Sequence, residues 1–356
     1  MRVLLATDAW FPQVNGVVRT LSTTVGELQS MGHEVRVVHP GLFRTVACPT
    51  YPEIRLALLP GRCMARAVDG FAPDAVHIAT EGPLGMAARR LCLARGLPFT
   101  TSFHTLFPDY LAARFAVPRA WTWAWLRRFH APAVRVMSNT PSMDRALAAH
   151  GIAHTARWSR GVDIDLFHPR SPEEAPAEMA GLPRPVHLYV GRLAVEKNIA
   201  AFLDLALPGS KVVVGDGPQR AALERRHADA VFLGMRHGEA LARAYAAADV
   251  LVMPSRTETF GIVMLEALAC GVPVAAYPVT GPRDVIADSG AGALDDDLGR
   301  AVARALTIPR ESCLALAARY TWRAAAQAFL GNLAPRDTRP LPAGLGERAR
   351  TVPAGS

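Results

Sequence analysis

The sequence predicts an α/β protein made of two doubly wound domains. Short apolar runs alternate with stretches of helical periodicity along most of the chain, the pattern of repeated βαβ units. At 356 residues the chain is long for one domain and comfortable for two. A proline-rich, acidic stretch, SPEEAPAEMAGLPRP, interrupts the alternation and reads as a linker. These observations predict an N-terminal domain over 1–165, a linker over 166–184, a second domain over 185–315, a closing helix within 316–333 and a disordered tail over 334–356.

Composition narrows the classes. Half of the residues are hydrophobic and a fifth charged, enough for a large core, and the net charge of +8 favours anionic partners. Cys48, Cys63, Cys92, Cys270 and Cys313 are scattered and odd in number, which argues against a zinc site or a disulfide framework and for a reducing cytosol. Met1 opens directly onto a strand without a signal peptide, and no run reaches about 18 apolar residues. The expectation is a protein that is soluble or peripheral. The sequence carries no signal of oligomeric state.

The first domain opens on the buried strand Met1–Thr7. The loop TDAWFPQVNGV then leads into a helix from Val17 to about Ser30. Asn15-Gly16 at its mouth reads two ways. It is a common turn, or it is a phosphate cradle, because glycine admits close approach and a helix N-terminus attracts anions. Further strands are expected at Glu34–His39, Glu53–Leu58, Asp74–Ala79, Pro98–Ser102 and Val134–Ser138, with a helix from Leu84. His104 follows the strand Pro98–Ser102 at a ligand-facing sheet edge, either as a satisfied structural histidine or as a functional one.

Tyr110–Arg135 carries Trp121, Trp123 and Trp125 among Arg114, Arg119, Arg127, Arg128 and Arg135. On a helix, Trp121, Trp125 and Phe129 share one face, while Arg119, Trp123, Arg127 and His130 fall opposite. The first face is expected to pack. The second is either an arginine-rich solvent face or a surface resting on anionic lipid with Trp123 at headgroup level. Nucleic-acid binding is disfavoured, since the basic cluster is confined to this segment.

In the second domain, Val186–Val190 is a buried strand followed by GRLAVEKN. Arg192 and Lys197 lie just beyond its carboxyl end, two cations suited to a diphosphate. Lys197 and Lys211 are the chain's only lysines, which favours a specific role at the former. Gly215-x-Gly217 in KVVVGDGPQ is half of a dinucleotide fingerprint, with Arg220 where the third glycine belongs, so an NAD-dependent oxidoreductase is a distant alternative. VFLGMRH, with Met235, is a short strand and turn, followed by a helix Gly238–Ala248 and a strand Asp249–Pro254. Phe260–Ala269 reads as a buried helix and Pro273–Tyr277 as the last strand. Thr321 is placed to cap a final helix, Trp322–Leu330.

The strand Asp249–Pro254 runs straight into PSRTETFGIVMLEALACGVP, which contains the helix Phe260–Ala269, with Glu258 in the turn before it and Glu266 about two helical turns further on. Carboxylates so spaced suit two separate hydroxyl groups, one per ring of a nucleotide sugar. The alternative is a helix-dipole partner plus a solvated Glu266. The pattern S-x-x-E-x-F-G-x-x-x-x-E-A-x-A-C-G-x-P-V resembles the signature of the retaining family 4 glycosyltransferases, of GT-B fold, and the resemblance extends along most of the chain. It implies two Rossmann-like domains facing across a cleft. It also implies Asn15 and Gly16 at the donor diphosphate, with Asn15 standing where many members have glycine. His104 would lie near the donor sugar or reacting centre, and Arg192 and Lys197 on the leaving diphosphate. Glu258 would orient the sugar, Glu266 the ribose, Phe260 and Gly261 would line the donor site, and Met235 would lie near the base. By the same resemblance Asp163-x-Asp165 in WSRGVDIDLFHP is a hinge signature rather than a metal site, so no metal or cofactor is required beyond the nucleotide sugar substrate.

TDAWFPQVNGVVRT, TEGPLG, SFHTLFPDY and WSRGVDIDLFHP are most similar to the subgroup that glycosylates diacylglycerol and other membrane lipids. The resemblance implies a hexosyltransferase, with a UDP-sugar favoured over a GDP-sugar, acting peripherally on the inner face of the cytoplasmic membrane. A soluble or polysaccharide acceptor is the alternative, and a non-catalytic nucleotide-sugar binding module a more distant one.

Overall fold

The computed structural model describes residues 1–13, 15–48, 51–104 and 118–337, with backbone alone at 51–53. Two compact units emerge: Met1–Ser159 together with the chain from Ala325, and Arg160–Ala324.

The first unit holds a six-stranded sheet, all parallel, in the order β2-β1-β5-β6-β7-β8. Its strands are β1 (Arg2–Ala6), β2 (Glu34–Val38), β5 (Ala75–Ile78), β6 (Thr100–Ser102), β7 (Val136–Ser138) and β8 (Thr155–Arg157). Val3 to Ala6 are fully buried because helices cover both faces of a parallel sheet. Successive side chains point to opposite faces. Leu4 and Ala6 thus join a core with Met64, Phe71 and Leu84, and Val3 and Leu5 one with Leu21, Trp158 and Phe329. Each such aliphatic side chain contributes about 1.5–3 kcal/mol on burial.

The second unit repeats the design with β9 (Val186–Val190), β10 (Ser210–Val214), β11 (Val231–Gly234), β12 (Val250–Met253), β13 (Val274–Ala276) and β14 (Gly292–Leu294). The order β11-β10-β9-β12-β13-β14 is the Rossmann order, again all parallel. In each unit the strand order reverses once: between β1 and β5 in the first, and between β9 and β12 in the second. Ligands of such sheets bind beyond the carboxyl ends of the strands at that point.

Several expectations are corrected. The strand expected at Glu53–Leu58 is outside the parallel sheet. It is β4 (Tyr51–Ala57), paired antiparallel with β3 (Thr45–Cys48) in a separate ribbon. The stretch 166–184 is no free linker: Phe167 and Met179 are buried in the second unit's core, so the acidic composition describes only its outer surface. The units divide at 159/160, within WSRGVD, with Trp158 in one core and Val162 in the other. At the C-terminus, Ala334 is buried, Pro335 bridges to Ala75 and Arg336 N donates to Asp74 O, so the start of the expected disordered tail is ordered, and the rest of it lies outside the described residues. β8 and β14 escaped notice because they are edge strands, mostly half-buried, and so lack the apolar run that marks a central strand. The closing helix runs from Trp322 to Asn332, with Thr321 Oγ1 accepting from Ala324 N as expected of a cap. Among the described residues no helix is long and apolar enough to cross a membrane.

Candidate functional site

At the reversal point of the second unit, the loops after β9 and β12 meet. Lys197 arrives on the first, in the turn Val195–Lys197, and Glu258 on the second. Lys197 Nζ donates to Glu258 Oε2 at 2.8 Å. Burial pulls the ammonium pKa down, but the charge and hydrogen bond of Glu258 outweigh it and leave Lys197 above its ordinary value. The next residue, Asn198, adopts a left-handed φ of 52° and donates from Nδ2 to Pro254 O at 3.0 Å, joining the two loops directly. Asparagine tolerates that conformation better than most residues. Arg192 lies exposed on the same loop, its carbonyl accepting from Tyr189 Oη.

The loop approach depends on glycine. A Cβ on Gly215 would lie 1.9 Å from Gly191 O, so this residue lets the loop after β10 pass against the one carrying Arg192. The GDGPQ stretch thus serves close backbone approach. Gly261, at a φ of 82°, turns the chain from Glu258 into the helix Ile262–Ala269, which begins two residues later than Phe260.

Glu266 is 1% exposed, so the solvated alternative is overturned, and its Oε2 accepts from Tyr245 Oη at 2.8 Å. Phe260 is buried against Tyr320, which commits its side chain to the core and leaves its backbone as the part that could face a donor. Met235 is half exposed beyond β11. Asp163 Oδ1 accepts from the amides of Asp165 and Leu166, which makes this D-x-D a capped turn. Among the described residues no group of three or more potential ligands could hold a metal.

In the first unit, Asn15 caps the helix Gly16–Ser30, its Oδ1 accepting from Val17 N and Val18 N at 3.0 Å each. Two of the amides with which this helix N-terminus would attract an anion are thus taken by the asparagine side chain. At this unit's reversal point the structure adds a residue that pattern reading missed. Asp8, just past β1, accepts from Thr80 Oγ1 at 2.9 Å and from the first amides of the helix Pro83–Arg95 at Leu84 and Gly85. Burial raises its pKa, and those three hydrogen bonds oppose the rise. The carboxylate thereby locks the loop after β1 to the loop after β5. Its only signal in the sequence was a polar residue directly after an apolar strand. His104 Nε2 stands 2.8 Å from Ser102 Oγ, with its ring edge-on to Trp158.

The Arg/Trp helix spans Arg119–His130, while residues 105–117, including Tyr110 and Arg114, lie outside the described residues. Phe129 packs and Arg119 and Arg127 face solvent as expected, but the three tryptophans and His130 are placed opposite to the expectation. Trp123 is buried between Phe103 and His150, beside Leu126, Phe129 and His130. Trp121 and Trp125 are exposed, at 73% and 42%, on the side that carries Arg128, and Arg119 and Arg127 are exposed as well. Thr122 and Leu126 pull the buried arc round by about a third of a turn, a shift that tryptophan spacing alone could not reveal.

Comparison with known proteins identifies the family. The family described as "Glycosyltransferase Family 4" matches residues 14–166, and "Glycosyl transferases group 1" matches residues 184–308. A GDP-mannose-dependent alpha-mannosyltransferase of Mycobacterium tuberculosis is 36% identical over 321 residues, 83% of each chain. Sulfoquinovosyl transferase SQD2 of Arabidopsis thaliana is 32% identical over 314 residues, 79% of this chain and 60% of that one. Among solved structures, a sucrose-phosphate synthase from Thermosynechococcus elongatus aligns with a TM-score of 0.72 at 21% identity, covering 93% of this chain and 97% of that one. That likeness establishes the fold, two Rossmann-like domains of GT-B type. The chain belongs to the family 4 glycosyltransferases and is a hexosyltransferase.

Proposed function

We propose that this enzyme transfers a mannosyl unit from GDP-mannose to a membrane lipid, with retention at the anomeric carbon. The observation that carries the reading is the Lys197–Glu258 pair at the reversal point of the second sheet. A cation suited to the departing diphosphate stands beside a carboxylate suited to sugar hydroxyls. Arg192 on the same loop adds a second positive charge. Charge that develops on the leaving phosphate is the largest electrostatic demand of such a step, and prepositioned cations meet it without reorganisation. With two protein cations in that role, no divalent metal is required.

The donor assignment departs from the uridine expectation. Relatives from Mycobacterium tuberculosis, Mycolicibacterium smegmatis and Corynebacterium glutamicum, at 36%, 35% and 30% identity, are named GDP-mannose-dependent. The lipid acceptor is supported by the names of a phosphatidylinositol dimannoside mannosyltransferase and of an alpha-monoglucosyldiacylglycerol synthase among the relatives. The exposed Trp121 and Trp125, on the side that carries Arg128, suit an anionic headgroup layer, where amphipathic rings and guanidinium groups both find partners. The enzyme would then work at the cytoplasmic face of the membrane.

The test is incubation with GDP-mannose or UDP-hexoses, with and without vesicles of phosphatidylglycerol and diacylglycerol, following nucleoside diphosphate release and glycolipid. GDP release that rises with vesicles, with a mannolipid formed and excess chelator without effect, is expected. Release from UDP-hexoses alone would overturn the donor, and release indifferent to vesicles would overturn the lipid acceptor.

A further inference from the structure

We propose that the first unit docks on an anionic lipid bilayer through the β3–β4 ribbon and three neighbouring helices, with Leu59 inserted as the apolar anchor. The use of such a contact rests on the membrane-lipid acceptor proposed above. The contact itself follows from strain, exposure and charge.

Leu59 lies between β4 and the helix Gly61–Phe71, next to Leu58, whose N donates to Arg44 O at 2.9 Å. Its side chain is 95% exposed and its φ is 47°, in the left-handed region. There the Cβ of an L residue crowds the backbone, so glycine or asparagine is the ordinary occupant. A leucine at this position costs the fold twice, in backbone strain and in exposed apolar surface, and its side chain buries almost nothing in return. Strain kept without a packing gain points to a function outside the fold. Leu42, Val46 and Leu58, on the ribbon and its flanks, are exposed as well.

Charge identifies the occupant. The helices Gly61–Phe71, Pro83–Arg95 and Arg119–His130 cover one face of the first sheet, where Met64, Leu84 and Phe129 share a core with Leu4, Ala6 and Ala57 at the end of β4. Together they contain eight arginines and a single acid, Asp69. The helix Gly16–Ser30 on the opposite face holds only Arg19 and Glu27. Of the twelve large hydrophobic side chains exposed among the described residues, seven lie on the ribbon, its flanks and these three helices, so apolar surface and positive charge coincide. Arg62, Arg90 and Arg128 are exposed there, as are Leu93, Trp121 and Trp125. Guanidinium groups around apolar side chains match anionic headgroups over acyl chains. A second copy of the chain fits poorly, because a two-fold contact would set arginine against arginine.

The experiment is co-sedimentation of the full chain with vesicles of phosphatidylcholine and phosphatidylglycerol, without donor or diacylglycerol, beside thermal melting. Leu59→Asn relieves the strain and removes the anchor. Its melting temperature should equal or exceed that of the wild type, while its affinity for vesicles falls about three- to tenfold. Arg62→Ser should weaken binding and lessen its dependence on salt, whereas Arg225→Ser, an equal loss of charge at an exposed position of the second unit, should leave binding nearly unchanged. Vesicle affinity unaltered in Leu59→Asn, or lowered as much by Arg225→Ser as by Arg62→Ser, would overturn the proposal. A lower melting temperature in Leu59→Asn would also overturn it, by showing that the leucine serves the fold. So would a dimer that Leu59→Asn dissolves in analytical ultracentrifugation, which would give this face to a second copy. Vesicle binding without any glycolipid in the transfer assay would remove the lipid acceptor and leave the docking face standing. Glycolipid made from detergent-dispersed lipid by a chain that does not bind vesicles would do the reverse.

Discussion

Lys197 and Glu258 are 61 residues apart in the chain and joined by a 2.8 Å hydrogen bond in the fold. The pair exists because β9 and β12 are neighbours in a sheet whose order reverses between them.

Replacing Lys197 by alanine removes the cation aimed at the departing diphosphate. Turnover should fall by roughly 30- to 1,000-fold, equivalent to about 2–4 kcal/mol of transition-state stabilisation. Steady-state kinetics would show it, and activity like that of the wild type would remove Lys197 from the site.

Gly215→Ala should damage the same site from a distance. The added Cβ collides with Gly191 O, and the φ of 140° is one that an L side chain rarely adopts. The loop bearing Arg192 and Lys197 must shift, so both donor affinity and thermal stability are expected to drop. Isothermal titration with GDP and a melting curve would measure the two effects.

The exposed and buried tryptophans make opposite predictions. Trp123→Ala empties a core position and should cost about 3 kcal/mol of stability. Trp121→Ala should change stability by less than about 0.5 kcal/mol yet weaken sedimentation with anionic vesicles. Vesicle binding indifferent to Trp121 and Trp125 together would dismiss this face as a membrane contact.

The buried His77 gives a pH dependence. Its folded pKa of about 3 lies below the unfolded value of 6.5, so the unfolded state binds the proton first as pH falls. The contribution of a neutral His77 is therefore fully present above pH 6.5 and lost towards pH 3, by about 1.4 kcal/mol per pH unit. Urea denaturation at pH 7.5 and pH 5.0 should show a steeper loss for the wild type than for His77→Gln. Equal losses would mean that His77 is not buried as a neutral ring.

Tyr245→Phe leaves the carboxylate of Glu266 without the hydroxyl that it accepts from inside the second core. A loss of about 1–3 kcal/mol is expected by chemical denaturation, the usual cost of leaving a buried polar group under-bonded.

The period of the apolar runs and the signature residues by themselves determined the fold class, the pair of sheets and the presence of Lys197, Glu258 and Glu266 in loops or helices beyond strand ends. A buried parallel strand must be nearly all apolar, and a loop glycine or acid beside it stands out. What each side chain faces was decided only by the tertiary structure. Trp123 lies inward and Trp121 outward because neighbouring helices and strands, not spacing alone, choose the buried arc. Asp8 reaches Leu84 N and Ser102 joins His77 to His104 through contacts spanning up to 76 residues or crossing between strands. Hydrogen-bond partners are set by distances in space, and a local pattern carries no record of them until the sheet order brings the strands together.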